Sequence, residues 1–266
     1  MAKYTIGLDA GHGLNTSGKR TPALTKELKM DGKTYKVGET IREREFNQRI
    51  MKLVEKELDN ITDIGYIECV GGLTEDTSLA NRVKKANDKK VDLYVSIHAN
   101  ALTGQWQTKA YGLISIHTQN SSAKAKTLTK NIHNYLSKDV KWYSNGATKY
   151  GVRTDVDLTG STYYVLRNTN MPAVLLELGF MDNLNDVEVM ITDEFAKNCA
   201  KSIVRGICDT LGVSYKETTT STSKPNTEAS TKMYRTVIFS GSYEGAVKMK
   251  NEAISKGFAG TFIVEK

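Results

Sequence analysis

Two largely apolar runs constrain the fold of this chain more than any other feature. One covers residues 91–97, and the other covers residues 172–178, opening with Pro172. A proline cannot continue backwards as a helix, and runs of this kind are typical of strands buried on both faces of a parallel sheet. Apolar residues recur at helical spacing in the segments 43–58, 123–136 and 193–211. The alternation predicts an α/β fold, a twisted and mostly parallel sheet with helices on both faces.

The remaining elements are predicted from shorter patterns. Further strands are expected at residues 4–8, 64–70, 112–116 and 163–167, and a further helix from residue 77. A polar insert, residues 14–41, contains a hairpin about Asp31-Gly32 and is expected on the rim of a site. The polar, glycine-containing stretch 142–159 is predicted to be a loop or lid.

The composition changes after the last predicted helix. Residues 1–213 are interpreted as one large domain, and residues 214–232, rich in Thr, Ser and Lys, as a flexible linker. Residues 233–266 are predicted to form a small βαβ module. Such a unit is too small to bury a stable core alone, so we expect it to pair with a second copy, as a homodimer, or to dock on the large domain.

The totals limit the classes of partner. The net charge of +7 is spread over both parts of the 266-residue chain, which does not favour a nucleic-acid partner. The three cysteines, Cys69, Cys199 and Cys208, lack metal-type spacing and are expected to be reduced core residues. The N-terminus enters a strand at once, without a signal peptide, and no apolar run is long enough for a membrane helix.

Two histidines and a glutamate are the candidate metal ligands. His12 lies between two glycines after the first strand, and His98 follows the apolar run at 91–97. Carboxyl ends of parallel strands meet at one edge of a sheet, where such folds build their sites. Glu43 and Glu45 compete for the third position at the start of the intervening helix. Helical periodicity places Glu43 on the inward face with Phe46, and Glu45 about 200° around, so Glu43 is favoured.

Glu177 is a carboxylate inside an apolar strand. Burying an unpaired carboxylate is costly, so Glu177 is protonated, paired or facing a cation. Beside a metal it would serve as a general base, but an ion pair with Arg82 or Arg167 explains it equally well. The other histidines, His117 and His133, are given no role.

At these residues the chain resembles the zinc-dependent N-acetylmuramoyl-L-alanine amidases of the amidase-3 type. The resemblance covers about residues 4–211, and its motifs are Asp9-Ala10-Gly11-His12-Gly13, Glu43 with Asn47, 79–87, 92–100 and 172–183. It implies one zinc ion per chain held by His12, Glu43 and His98, with Glu177 as the catalytic acid/base. The implied reaction cleaves the amide bond between N-acetylmuramic acid and L-alanine in peptidoglycan. The chain departs from the family in its long insert and in Gly72-Leu73-Thr74-Glu75-Asp76.

The resemblance also implies a biological setting. The tail is similar to one half of the sporulation-related repeat (SPOR) domain, which binds peptidoglycan. With no signal peptide, the chain is interpreted as a phage endolysin, held in the host-cell cytoplasm until release and then acting on a Gram-positive wall. The alternatives are a sporulation mother-cell amidase, a zinc carboxypeptidase on wall peptides, and a non-enzymatic wall-binding protein.

Overall fold

The computed structural model describes residues 2–215, which form a layered α/β domain. The predicted module and the linker beyond residue 215 lie outside the described residues. The strands are β1 (Tyr4–Ala10), β2 (Leu28–Met30), β3 (Lys33–Tyr35), β4 (Ile64–Glu68), β5 (Leu93–Asn100), β6 (Leu113–His117), β7 (Gly151–Thr154) and β8 (Ala173–Phe180). The helices are α1 (Glu43–Leu58), α2 (Leu79–Asp88), α3 (Ala123–Asp139), α4 (Asp155–Thr159), α5 (Tyr164–Asn168), α6 (Leu184–Met190) and α7 (Asp193–Leu211).

The main sheet has six strands in the order β4-β1-β5-β8-β6-β7. Neighbouring strands run parallel except for β6 and β8, which are antiparallel. This confirms the predicted α/β fold with a mostly parallel sheet. The two apolar runs became β5 and β8, adjacent strands in the middle of the sheet.

Helices cover both faces of the sheet. On one face α1, α3 and α7 pack around a core that includes Val54, Ile132 and Ile203. On the other face α2 and α5 bury Val83 and Val165 over a smaller core. The three cysteines are buried and free, as expected from the sequence. No helix in the described part of the chain is long and apolar enough to cross a membrane.

Local sequence signals fix the ends of several helices. The hydroxyls of Ser78, Ser122 and Thr192 accept hydrogen bonds from the first turns of α2, α3 and α7. Each satisfies a backbone N–H that has no partner inside its helix. Helix α7 ends at Gly212, whose φ of 67° belongs to the left-handed region that glycine adopts without strain.

Two segment predictions were wrong. Residues 163–167, predicted as a strand, lie largely in helix α5, which buries Val165 and Leu166. A segment this short, rich in aromatic and branched residues, is ambiguous by pattern, and packing against α2 and β8 decides its structure. The predicted loop at 142–159 contains β7 and α4, and its Trp142 is buried with Nε1 donating to the Leu136 carbonyl.

The insert is placed differently from the prediction. The hairpin forms as predicted, as β2 and β3 with positive φ at Asp31 and Gly32. It packs beside α1, however, where Tyr35 donates to Glu45 (2.7 Å) and Asp31 pairs with Arg49 (2.8 Å). Leu24, Leu28, Met30 and Ile41 are buried in the main core. Most of the insert is therefore part of the domain body, and only its first residues reach the cleft described next.

Candidate metal centre

The loop after β1 holds His12 in a backbone conformation that residues other than glycine rarely adopt. Its φ is 64°, in the left-handed region, at a cost of about 1–3 kcal/mol. Glycine is required on both sides of His12 because neighbouring residues approach the backbone there too closely for a side chain. A Cβ on Gly11 would lie 2.1 Å from the His98 ring, and one on Gly13 would lie 2.5 Å from the Asp76 amide nitrogen. The loop is therefore pressed against β5 on one side and residues 74–76 on the other.

Two buried arginines hold this loop in place. Arg44 donates to the carbonyls of Ala10 and His12 (3.0 Å for the latter), and Arg82 donates to the same two carbonyls (3.0 and 3.3 Å). Arg82 also forms ion pairs with Asp9 and with Asp76 (2.8 Å for the latter). These charge-assisted contacts offset the strain at His12 and hold the backbone of the loop in place.

Asp9, near the end of β1, is the buried carboxylate that pairs with Arg82. Its carboxylate also accepts hydrogen bonds from Tyr94 (2.7 Å) and Ser96 (2.8 Å). Burial raises the pKa of Asp9, but the charge of Arg82 and these hydrogen bonds outweigh it and leave the pKa lowered. Asp9 is therefore a charged carboxylate in the core that is stabilised by one ion pair and two hydrogen bonds.

His12, Glu43 and His98 converge at the carboxyl edge of the sheet. Glu43 Oε2 lies 3.3 Å from His12 Nε2, and Glu43 Oε1 lies 3.1 Å from His98 Nδ1. One donor atom from each residue can be chosen so that all lie within 4.8 Å of one another. The two rings meet edge to face with centroids 5.1 Å apart. Glu43 is 1% exposed at the start of α1, and Asn47 one turn later donates to it (3.3 Å) and to Gly11 O (3.2 Å).

The residues present fit a metal ion. Glu43 Oε2 is buried and accepts no hydrogen bond from the described residues, although the His12 Nε2 atom lies 3.3 Å away. A buried carboxylate oxygen without a partner is costly, and a cation between it and the two imidazoles removes that cost. Two histidine nitrogens and one carboxylate oxygen are a donor set typical of zinc sites that keep a position open. Glu45 is not part of this cluster, because its carboxylate binds Lys33 (2.8 Å) and Tyr35 on the other side of the helix.

The protonation states agree with this fit. Burial, with the charges of His98 and Lys19, lowers the pKa of His12 to about 4, although Glu43 and Asp76 act against this. Neutral imidazole, the form that binds metal, is therefore the state of His12 at neutral pH. Burial works against the charge on Glu43 as well, but the hydrogen bond from His98 and the charges of His98, His12 and Lys19 together outweigh it and lower the Glu43 pKa.

Glu177 lies beside the three donors, on the neighbouring strand. It is paired in register with His98 across β5 and β8, and the two side chains line the same cleft. Glu177 Oε2 is buried and accepts no hydrogen bond from the described residues. Burial raises the pKa of Glu177 to about 7; His98 lowers it and the Glu43 carboxylate raises it further.

The predicted alternative for Glu177, an ion pair with Arg82 or Arg167, is wrong. Arg82 is taken up by Asp9 and Asp76, and Arg167 donates to Thr162 (2.9 Å). Sequence reasoning did not assign the loop-holding roles of Arg44 and Arg82. The one available signal was Asp9, a carboxylate at the end of a buried strand that needs a cation.

His12, His98 and Glu177 line a cleft with a volume of about 660 Å³. The side chains of Leu79, Thr162, Tyr163 and Tyr164 form a wall beyond the metal donors, and Lys19 from the insert lines the cleft as well. A cavity of this size admits a substrate of several residues or sugar rings. It is open to solvent and continuous with the candidate metal centre.

Comparison with known proteins shows which family this chain is similar to. The family model Amidase_3, N-acetylmuramoyl-L-alanine amidase, matches residues 6–209. The endolysin of Bacillus phage SPP1 is 28% identical over 252 residues, which is 93% of this chain and 80% of that protein. The probable cell wall amidase LytH of Staphylococcus aureus is 31% identical over 76% of this chain and 57% of its own length.

A solved structure gives the same result for the fold. The N-acetylmuramoyl-L-alanine amidase from Clostridium difficile 630 superposes with a TM-score of 0.63 at 25% sequence identity. The match covers 80% of this chain and 98% of the other. The shared part is therefore nearly the whole of that structure.

Proposed function

This chain belongs to the N-acetylmuramoyl-L-alanine amidase family Amidase_3, and on that premise we propose that it hydrolyses peptidoglycan by a zinc-dependent mechanism. Its activity is that of a peptidoglycan amidase, which releases the stem peptide from N-acetylmuramic acid. The proposal assigns zinc to His12, Glu43 and His98, one ion per chain, and the acid/base role to Glu177. The observation that carries it is the convergence of three metal donors beside Glu177, a carboxylate whose Oε2 is buried and unpaired, at a cleft lined by His12, His98 and Glu177.

The donor set supports zinc over the common hard cations. Mg²⁺ and Ca²⁺ are bound mainly through oxygen, whereas two imidazole nitrogens with one carboxylate suit zinc. When bound, zinc would act as a Lewis acid on the scissile carbonyl and lower the pKa of a water molecule. The chain would contribute the geometry, because Asn47 and the Ala99 amide (3.2 Å) both donate to Glu43 and restrict its rotation.

Glu177 would move the proton in this reaction. As a carboxylate it would accept a proton from the attacking water, whose oxygen forms a bond to the carbonyl carbon of the lactyl group. It would then give that proton to the nitrogen of L-alanine as the carbon–nitrogen bond breaks. The products are a muramic acid carboxylate and a free amino terminus on the stem peptide. A pKa of about 7 suits both halves of this cycle near neutral pH.

The test combines metal analysis with product identification. We expect the unaltered protein to carry about one zinc per chain and to release stem peptides with N-terminal L-alanine from purified walls, as read by mass spectrometry. Glu177→Gln should keep its zinc and lose activity by at least about 100-fold. Glu43→Gln should lose both zinc and activity. Glu45→Gln, on the same turn of α1, is the matched control and should retain both.

Each of the other outcomes has a defined meaning. Wild-type activity in Glu177→Gln would overturn the acid/base assignment. A shortened stem peptide still attached to muramic acid would indicate a carboxypeptidase. Zinc-free protein without lytic activity would indicate a wall-binding protein.

The biological role we propose is that of a phage endolysin. The alignment to the SPP1 endolysin, which covers 93% of this chain, favours this role over a sporulation amidase. The enzyme would then wait in the host-cell cytoplasm and reach the Gram-positive wall after release. Residues 233–266 would bind the wall, with pairing of two copies completing that module. Deleting residues 214–266 should weaken sedimentation with purified walls, and unchanged sedimentation would contradict the binding role.

A further inference from the structure

One cation in the cleft is left without a partner by the described residues. The cationic side chains that line the cleft, apart from the histidines, are Arg82 and Lys19. Arg82 is neutralised by Asp9 and Asp76. Lys19 makes no ion pair or side-chain hydrogen bond within residues 2–215. An ammonium group that lines an open cleft without a carboxylate at contact distance is available to bind an anion that arrives from outside.

The backbone fixes Lys19 at this place. Its carbonyl accepts a hydrogen bond from the Glu43 amide (3.0 Å), and the next residue, Arg20, forms a β-bridge with Arg42. Gly18, with a φ of 74°, turns the chain just before it. The lysine is therefore tied to the start of the helix that carries Glu43, and movement of one displaces the other.

The side chain of Lys19 lies in the same cleft as the reacting groups but does not contact them. It lines the same cleft as His12 and Glu177, yet it lies outside hydrogen-bond distance of both and of Glu43. In the proposed function the scissile carbonyl binds between Glu177 and the metal donors, which the Lys19 side chain does not contact. Lys19 is well positioned for an anionic group a short distance along the substrate.

We propose that Lys19 is a specificity-determining residue that binds a carboxylate of the stem peptide next to the scissile amide. This inference rests on the proposed function. The insert between His12 and Glu43 would thus contribute directly to substrate choice, through one side chain rather than through its hairpin. The contact is a charge-assisted hydrogen bond from the Lys19 ammonium to the carboxylate of the bound peptide.

The test uses two soluble muramoyl peptides of the same length. In one, the residue after L-alanine carries free carboxyl groups; in the other, those groups are amidated. With the full-length protein, Lys19→Met should raise KM for the acidic peptide on the order of tenfold, while the change in kcat caused by removing a charge near Glu177 should be the same for both peptides. KM for the amidated peptide should not move. Lys19→Arg should restore most of the affinity, because it keeps the charge.

Lys29→Met is the matched control, since Lys29 belongs to the same insert but is 72% exposed on the hairpin. It should behave as the unaltered protein with both peptides. Equal changes of KM on the two peptides in Lys19→Met would overturn the proposal, because the effect would then not depend on the carboxylate. Failure of the unaltered protein to cleave either peptide would instead refute the proposed function. Circular dichroism and zinc content distinguish misfolded variants from these outcomes.

Discussion

His133 offers a quantitative test of the packing described above. It lies on α3 with its side chain against β6, where its Nδ1 is 3.0 Å from the Ser115 hydroxyl. Burial lowers the pKa of His133 to about 4, from a value of 6.5 in the unfolded chain. Between these values the unfolded state binds the proton more readily, so this histidine's contribution to stability is present above pH 6.5 and is lost as the pH falls towards 4.

The magnitude follows from the two pKa values. Full loss corresponds to about 3 kcal/mol, and about 2 kcal/mol of it is lost by pH 5. Asp186 acts with the opposite sign, because burial raises its pKa to about 6 and its contribution is lost as the pH rises. The pH dependence of the unaltered protein is therefore a sum, and only a comparison between variants isolates His133.

The assay is urea unfolding of the chelator-treated protein at several pH values from 7.5 to 5. We expect the stability difference between the unaltered protein and His133→Asn to shrink by about 2 kcal/mol across this range. Ser115→Ala is the control. It removes the hydrogen bond but not the burial that causes the shift, so it should keep the pH dependence of the unaltered protein. Parallel curves for the unaltered protein and His133→Asn would refute the reasoning.

Two further substitutions test the loop that carries His12. Gly11→Ala places a methyl group within 2.1 Å of the His98 ring, so it should abolish zinc binding and lysis, and a zinc content equal to that of the unaltered protein would contradict this. Arg82→Met leaves Asp9 charged and unpaired in the core, which should cost about 3–5 kcal/mol in urea unfolding at pH 7 and less at acidic pH, where Asp9 takes up a proton. A loss below about 1 kcal/mol would show that the ion pair contributes little.

The α/β class of the fold and most of its strands were predictable because they follow from short-range patterns, whereas the strand order was not predicted. The runs that became β5 and β8 are largely apolar, interrupted by polar residues such as Ser96 and Glu177, and burial on both faces of a sheet favours this composition. Helix α1 was recognisable by its spacing, and the same spacing separates the buried Glu43 from Glu45 at the opposite side. These are properties of neighbouring residues, which the order of amino acids displays directly.

The errors arose where distant residues decide the outcome. Residues 163–167 became α5 because α2 and β8 supply a surface that buries Val165 and Leu166. The pairing of Arg82 with Asp9 joins residues far apart in the chain, and no local pattern distinguishes Asp9 from Glu177 as its partner. The hairpin at Asp31-Gly32 was evident from its turn residues, but its attachment to α1 depends on Arg49 and Glu45.

The clamp formed by Arg44 has a consequence for how this domain can be engineered. Arg44 directly follows Glu43 and donates a hydrogen bond to the carbonyl of His12. This contact joins the two ends of the insert and does not depend on the residues between them. Lengthening a loop whose ends are already held costs little, about 0.6 kcal/mol for each doubling. The hairpin tip at Asp31-Gly32 is therefore an entry point where a guest sequence, such as an affinity tag or a second binding domain, can be grafted while the metal donors stay in register.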